Sequence, residues 1–256
     1  MLKSNHSRLR FILLLLIVLL TVQVTMAQDD NAESTPEPEP IFPEPTMVVE
    51  IDADDGSSLY GDYYASRNGV GPAVILLHEL YTDRASWGWM LEPLLANGYH
   101  VLSVDLRGWG DSRVPANWRR AQTDTVTWFE WLYNQPAVLD NQIFAVGSSM
   151  GANLAMVGCA NAELCAGVVA LSPGLNYFGV RASDALVSGR QMLVVYADRD
   201  SIPRRDVPRM ETLLEEAELT DLFTFLVYEG RAHGILLFDD NEDLIPQIIA
   251  WMNAQL

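Results

Sequence analysis

The chain has 256 residues, 49% of them hydrophobic and 20% charged, which suits one large domain with a real core and leaves too little for two ordinary domains and a linker. Its formal net charge of −18 argues against nucleic acid as a partner, and no basic stripe offers phosphates a landing site.

Residues 1–27 read as an export signal. Lys3, Arg8 and Arg10 form a positive start, 11–20 is an unbroken apolar run, and Thr25-Met26-Ala27 puts small residues where a signal peptidase inspects the chain. The expected product is an exported protein beginning at Gln28. Only a retained signal would tether it to a membrane, and the apolar run is short for a span, which needs about 20 residues. Position 28 is not cysteine, so a lipoprotein anchor is not expected. Residues 28–46 are acidic and rich in Glu-Pro, favouring an extended, unfolded linker. Residues 47–256 are then the folded domain.

Strands are expected at 47–52 and 59–65, joined through the turn sequence Asp54-Asp55-Gly56. Short apolar runs typical of buried strands follow at 73–77, 101–104, 143–146, 167–171, 192–196 and 223–228. Helical stretches lie between most of them, at 86–96, 123–133, 150–160, 207–218 and 243–253. Two antiparallel strands followed by alternating strand and helix predict an α/β domain, a mostly parallel eight-stranded sheet with helices on both faces. Cys159 and Cys165 flank the end of one helix and the start of the next strand, and export favours a disulfide between them over two buried thiols.

In such a sheet, ligands bind beyond the carboxyl ends of the parallel strands. Gly147-Ser148-Ser149-Met150-Gly151 sits there, directly between the strand 143–146 and a helix. This is Gly-x-Ser-x-Gly in a strand–turn–helix setting, which marks Ser149 as a candidate nucleophile. A serine hydroxyl needs a base to take its proton. Of four histidines, His6 lies in the signal, His100 opens a strand and His78 ends one; His233, in a glycine-flanked loop after the last strand, is the candidate base. Asp198 and Asp200 both follow the penultimate strand. Asp200, farther into the loop, is favoured to orient His233, with Asp198 bracing the loop backbone.

This order of nucleophile, acid and histidine resembles the α/β-hydrolase family, and the resemblance spans 47–256. Leu76-Leu77-His78, Asp105-Leu106-Arg107-Gly108-Trp109-Gly110-Asp111-Ser112 and Asp198-Arg199-Asp200 also match the family's pattern. The resemblance implies an α/β-hydrolase fold, no metal or organic cofactor, and an oxyanion hole from the backbone amides of Met150 and Leu80. Asp105, Arg107 and Asp111 are expected to be structural, the first two pairing with each other. His78-Glu79 departs from the common His-Gly and is similar to dienelactone-hydrolase-like members, whose nucleophile is usually cysteine. Glu79 is expected either near Ser149, tuning its proton, or in solvent.

Only about 19 residues separate the strand ending at Leu171 from the one starting near Met192, too few for an independent lid. An open site is expected, roofed at most by Leu175, Tyr177 and Phe178, with Trp87, Trp89 and Trp109 as candidates to line it. Epoxide and haloalkane hydrolases of this fold use an aspartate nucleophile, and position 149 is serine. The expected function is cleavage of a small carboxylic ester through an acyl-enzyme on Ser149. The alternative is a non-catalytic scaffold binding a small molecule or a protein, and peptidase, thioesterase, acyltransferase and perhydrolase activities use the same triad. Oligomeric state is left open.

Overall fold

The computed structural model describes residues 42–256; the expected signal at 1–27 and the linker as far as residue 41 lie outside them. The body starts earlier than residue 47. Phe42 packs edge-on against Trp89 with ring centroids 5.3 Å apart, and Thr46 N donates to Tyr63 O at 2.8 Å.

Apolar runs with no polar alternation are stable only when both sheet faces are covered. They form the inner parallel strands of an eight-stranded sheet, which comprises β1 (Met47–Asp52), β2 (Ser58–Tyr64), β3 (Gly71–Leu77), β4 (His100–Val104), β5 (Val138–Ser148), β6 (Cys165–Leu171), β9 (Gln191–Ala197) and β10 (Phe223–Tyr228). Their spatial order is β1-β2-β4-β3-β5-β6-β9-β10. β1 pairs antiparallel with β2, and β2 with β4; every later pairing is parallel.

Successive side chains of a strand point to opposite faces, so one apolar run feeds two cores. Ile75 and Leu77 face one core with α2 (Trp118–Tyr133), α3 (Met150–Asn161) and α5 (Pro203–Glu216). Val74 and Leu76 face the other, with α1 (Gly88–Ala96) and α6 (Leu244–Asn253). Trp87, expected near the site, is instead buried in this second core at 1% exposure, because the turn before α1 aims it inward.

Several boundaries move for local reasons. α2 starts at Trp118, well before residue 123, because the Asn117 side chain accepts from Arg120 N at 3.1 Å and caps the first turn. α5 starts at Pro203, whose missing N–H costs nothing there. The 172–190 connection holds a small hairpin, β7 (Asn176–Tyr177) with β8 (Val180–Arg181), and a short helix, α4 (Ala182–Leu186). Cys159 and Cys165 are bridged, with Cα atoms 5.2 Å apart. Asp105 and Arg107 do not pair with each other. Asp105 accepts from Arg84 N at 2.9 Å and pairs with the Arg84 guanidinium, while Arg107 donates to Asp124 at 2.7 and 2.8 Å and to Asp55 at 3.0 Å. The turn after β4 sends the two side chains toward different neighbours. Among the described residues, no helix is long and apolar enough to cross a membrane.

Candidate active site

The carboxyl ends of β5, β9 and β10 bring three sequence-distant side chains together. Ser149 lies between β5 and α3 with φ 52° and ψ −112°, a left-handed conformation that an L-residue adopts only under restraint. Ser149 N donates to Leu171 O at 2.8 Å, holding the turn against β6. The flanking glycines are required by space: a Cβ at Gly147 would lie 2.1 Å from Gly151 O, and one at Gly151 would lie 2.1 Å from Leu77 O. Local sequence thus creates the sharp turn, and the neighbouring strands enforce it.

His233 Nε2 stands 2.8 Å from Ser149 Oγ, and His233 Nδ1 stands 2.6 Å from Asp200 Oδ2. An ionised carboxylate can only accept, so Nδ1 carries the proton and donates to Asp200. In the neutral ring that leaves Nε2 as the acceptor for the Ser149 hydroxyl. Burial works against the imidazolium, but the hydrogen bond and charge of Asp200, joined by the charge of Glu79, outweigh it and hold His233 above its ordinary pKa. Asp198 braces the loop, its Oδ1 accepting from Gly230 N at 2.8 Å.

Met150 N–H belongs to the first turn of α3, where no intrahelical acceptor exists. Leu80 N shares a peptide plane with Glu79 O. His78 Nε2 accepts from Leu106 N at 3.0 Å, so its Nδ1 is the protonated nitrogen and donates to Glu79 O at 2.7 Å; Thr82 Oγ1 donates to the same carbonyl at 2.9 Å. Burial pushes His78 below its usual pKa, in keeping with a neutral ring. A planar peptide held by its carbonyl has its N–H direction fixed as well. His78 therefore orients the peptide that carries the Leu80 amide.

Glu79 is half-buried, and its Oε2 accepts from Ser148 Oγ at 2.6 Å and from Ile235 N at 3.3 Å. It does not point into solvent. Tyr177 is buried at 8% exposure and donates to Ser172 O at 3.2 Å. Burial pushes its phenol up, while the neighbouring Ser149 hydroxyl pulls the other way. Trp109 is half-buried in a row with Trp118 and Phe178, with centroid separations of 5.1 and 6.1 Å. Phe178 is 68% exposed at the hairpin tip.

Two structural anchors escaped the sequence reading. Asn153 is fully buried; its Nδ2 donates to Gly174 O at 2.8 Å and Val180 O at 2.9 Å, and its Oδ1 accepts from Gly174 N at 3.0 Å. Asp206 Oδ2 accepts from Leu175 N at 3.0 Å. Together they hold the hairpin that presents Tyr177. A lone asparagine amid the apolar residues 150–159 was the one available signal.

A family model described as the alpha/beta hydrolase family matches residues 74–251. Among solved structures, an esterase of Pyrococcus furiosus superposes with a TM-score of 0.69 at 21% identity, covering 83% of this chain and 93% of that one. Dipeptidyl peptidase 4 of Porphyromonas gingivalis gives 0.66 at 15% identity, covering 84% and 36%. At these identities the likeness speaks for the fold alone. Epoxide hydrolase B of Mycobacterium tuberculosis is 33% identical over 107 residues, 40% of this chain and 29% of that protein. A haloalkane dehalogenase of Mycobacterium marinum is 32% identical over 119 residues, 44% and 39%. The chain thus spans less than half the length of these curated relatives.

Proposed function

The chain belongs to the alpha/beta hydrolase family, and on that premise we propose that it is a serine hydrolase cleaving a carboxylic ester through an acyl-enzyme on Ser149. One observation carries this reading: the continuous hydrogen-bonded line from Ser149 Oγ through His233 to Asp200, at 2.8 and 2.6 Å. His233 Nε2 takes the hydroxyl proton as Ser149 Oγ attacks the acyl carbon. The Met150 and Leu80 amides and the amino end of α3 then stabilise the oxyanion. His233 returns the proton to the leaving alcohol, and Asp200 stabilises the imidazolium between the two transfers. Water, deprotonated by the same nitrogen, attacks the acyl-enzyme and frees the acid.

The names of the curated relatives suggest epoxide opening or carbon–halogen cleavage. Displacement at such saturated carbon calls for a carboxylate nucleophile, and the residue at the turn is serine. The Cys159–Cys165 bridge fits an oxidising compartment and supports reading the chain as exported.

Labelling of the purified protein with a fluorophosphonate, comparing wild type with Ser149→Ala and His233→Ala, tests the assignment. One label per chain at Ser149, lost in both variants, is the expected result. A folded wild type that takes no label would overturn it and leave a binding scaffold in its place.

A further inference from the structure

We propose that Glu79 is a positioning residue that clasps the histidine loop to the nucleophile turn, through Ser148 Oγ at 2.6 Å on one side and Ile235 N at 3.3 Å on the other. The proposal rests on reading Ser149 and His233 as nucleophile and base. Each contact touches a neighbour of a reacting residue: Ser148 precedes Ser149, and Ile235 lies two residues beyond His233. The backbone of Glu79 also carries the carbonyl whose peptide ends in the Leu80 amide. One side chain thus ties together the ends of β3, β5 and β10.

The neighbouring backbone is shaped around this carboxylate. Gly234 has φ +58°, and a Cβ there would fall 2.0 Å from Glu79 Oε2 and 2.3 Å from Ser148 Oγ. The glycine after His233 leaves the space that the carboxylate and the hydroxyl fill. Gly234 N donates to Ser172 Oγ at 2.9 Å, so the loop is held from β6 as well. Two carboxylates act on the imidazole by charge, Asp200, hydrogen-bonded to it from the loop after β9, and Glu79, from the loop after β3. On the histidine's own loop, Glu229 and Arg231 are exposed. Ser148 Oγ is buried and has a carboxylate as its acceptor, an arrangement in which losing one partner leaves the other unsatisfied.

Glu79→Gln keeps the shape and removes the charge; Ser148→Ala keeps the charge and removes one arm of the clasp. The full chain is assayed with p-nitrophenyl acetate, and His233 is titrated by NMR in ring-labelled protein, with His233→Gln to assign its signal. In Glu79→Gln, kcat is expected to fall about 10- to 100-fold with KM changed less than about threefold, because a small misplacement of the base acts on the transition state. The acid limb of the profile and the His233 titration both move to lower pH. In Ser148→Ala, kcat falls while the limb stays in place.

A Glu79→Gln protein with wild-type kcat and an unmoved His233 titration would overturn the proposal while leaving the hydrolase reading intact. Should Glu79→Gln fail to fold, Ser148→Ala at the wild-type rate would overturn it equally. A wild type that neither hydrolyses the ester nor takes a fluorophosphonate would remove the hydrolase reading, and a His233 titration unmoved in its Glu79→Gln variant would overturn the clasp as well.

Discussion

Asp200 is 5% exposed and accepts from an imidazole nitrogen at 2.6 Å, so its negative charge acts on His233 with little solvent between them. That contact determines both the tautomer and the proton affinity of the base. In the proposed mechanism His233 must be neutral, and its pKa is held above 6.5, so activity is expected to fall as pH drops through a midpoint above that value. Asp200→Asn removes the charge and allows the amide to present a donor to Nδ1. The expected result is a loss of about 10⁴-fold in kcat, with the acid limb moving down because burial then dominates. A pH profile of kcat/KM across the range checks both, and an unmoved limb would count against Asp200 as the orienting group. At the same scale, the choice between Asp198 and Asp200 was legible from loop position alone. The side chain nearer the strand reaches back to Gly230 N at 2.8 Å, and the farther one reaches the histidine.

Among the elements, the hairpin β7–β8 is tied to α3 through one buried side chain. α3 is buried along Met150 to Cys159, and Asn153 is its polar member there. Its amide meets three backbone groups that have left the sheet: Gly174 N, Gly174 O and Val180 O. Asn153→Ala leaves all three without that partner, at a cost of about 3 kcal/mol read from the urea midpoint. The freed hairpin no longer holds Tyr177 beside Ser149, so KM for a small ester is expected to rise more than kcat falls. A variant with unchanged stability would mean that water or the neighbouring chain replaces the amide. The connection was expected to be a lidless loop. It carries no lid, yet it has order that the sequence did not reveal, because a two-residue strand has no periodicity to read.

For the whole molecule, pH acts through histidines with opposed shifts. Burial lowers His78 and His100 below 6.5, so the folded state resists protons that the unfolded chain accepts. Their contribution to stability is complete above 6.5 and is lost as pH falls below it toward the folded values. His233, held above 6.5, acts in the other sense: its contribution is present below 6.5 and is lost as pH rises through its folded pKa. The two windows meet at 6.5: above it acidification adds the His233 contribution, and below it the loss from His78 and His100 lowers the free energy of unfolding by urea toward about pH 5.5, a window above the ordinary carboxylate range. His233→Gln removes the change above 6.5 and leaves the decline below it. Stability that rises as pH falls below 6.5 would contradict this balance.

The unbroken apolar runs and the helical stretches between them determined the eight-stranded, mostly parallel sheet, because only a sheet covered on both faces can bury them. Gly147, Ser149 and Gly151 were legible as a strand–turn–helix motif, although only Gly147 is required by the turn itself; at Gly151 the space is taken by Leu77 O of β3. His233 was singled out by elimination among four histidines, and it lies within hydrogen-bonding distance of both Ser149 and Asp200. The partners of Asp105, Arg107, Trp87 and Glu79 were not legible. Each lies on an element whose neighbour is set by sheet order, and that order pairs β3 with β5 across 60 or more residues of chain. Where a charged side chain ends depends on which distant segment folds beside it, and one chain's spacing carries no record of that. The tertiary structure alone decided that Glu79 turns toward Ser148 and Ile235 rather than to water, because the left-handed Gly234 leaves its carboxylate room there.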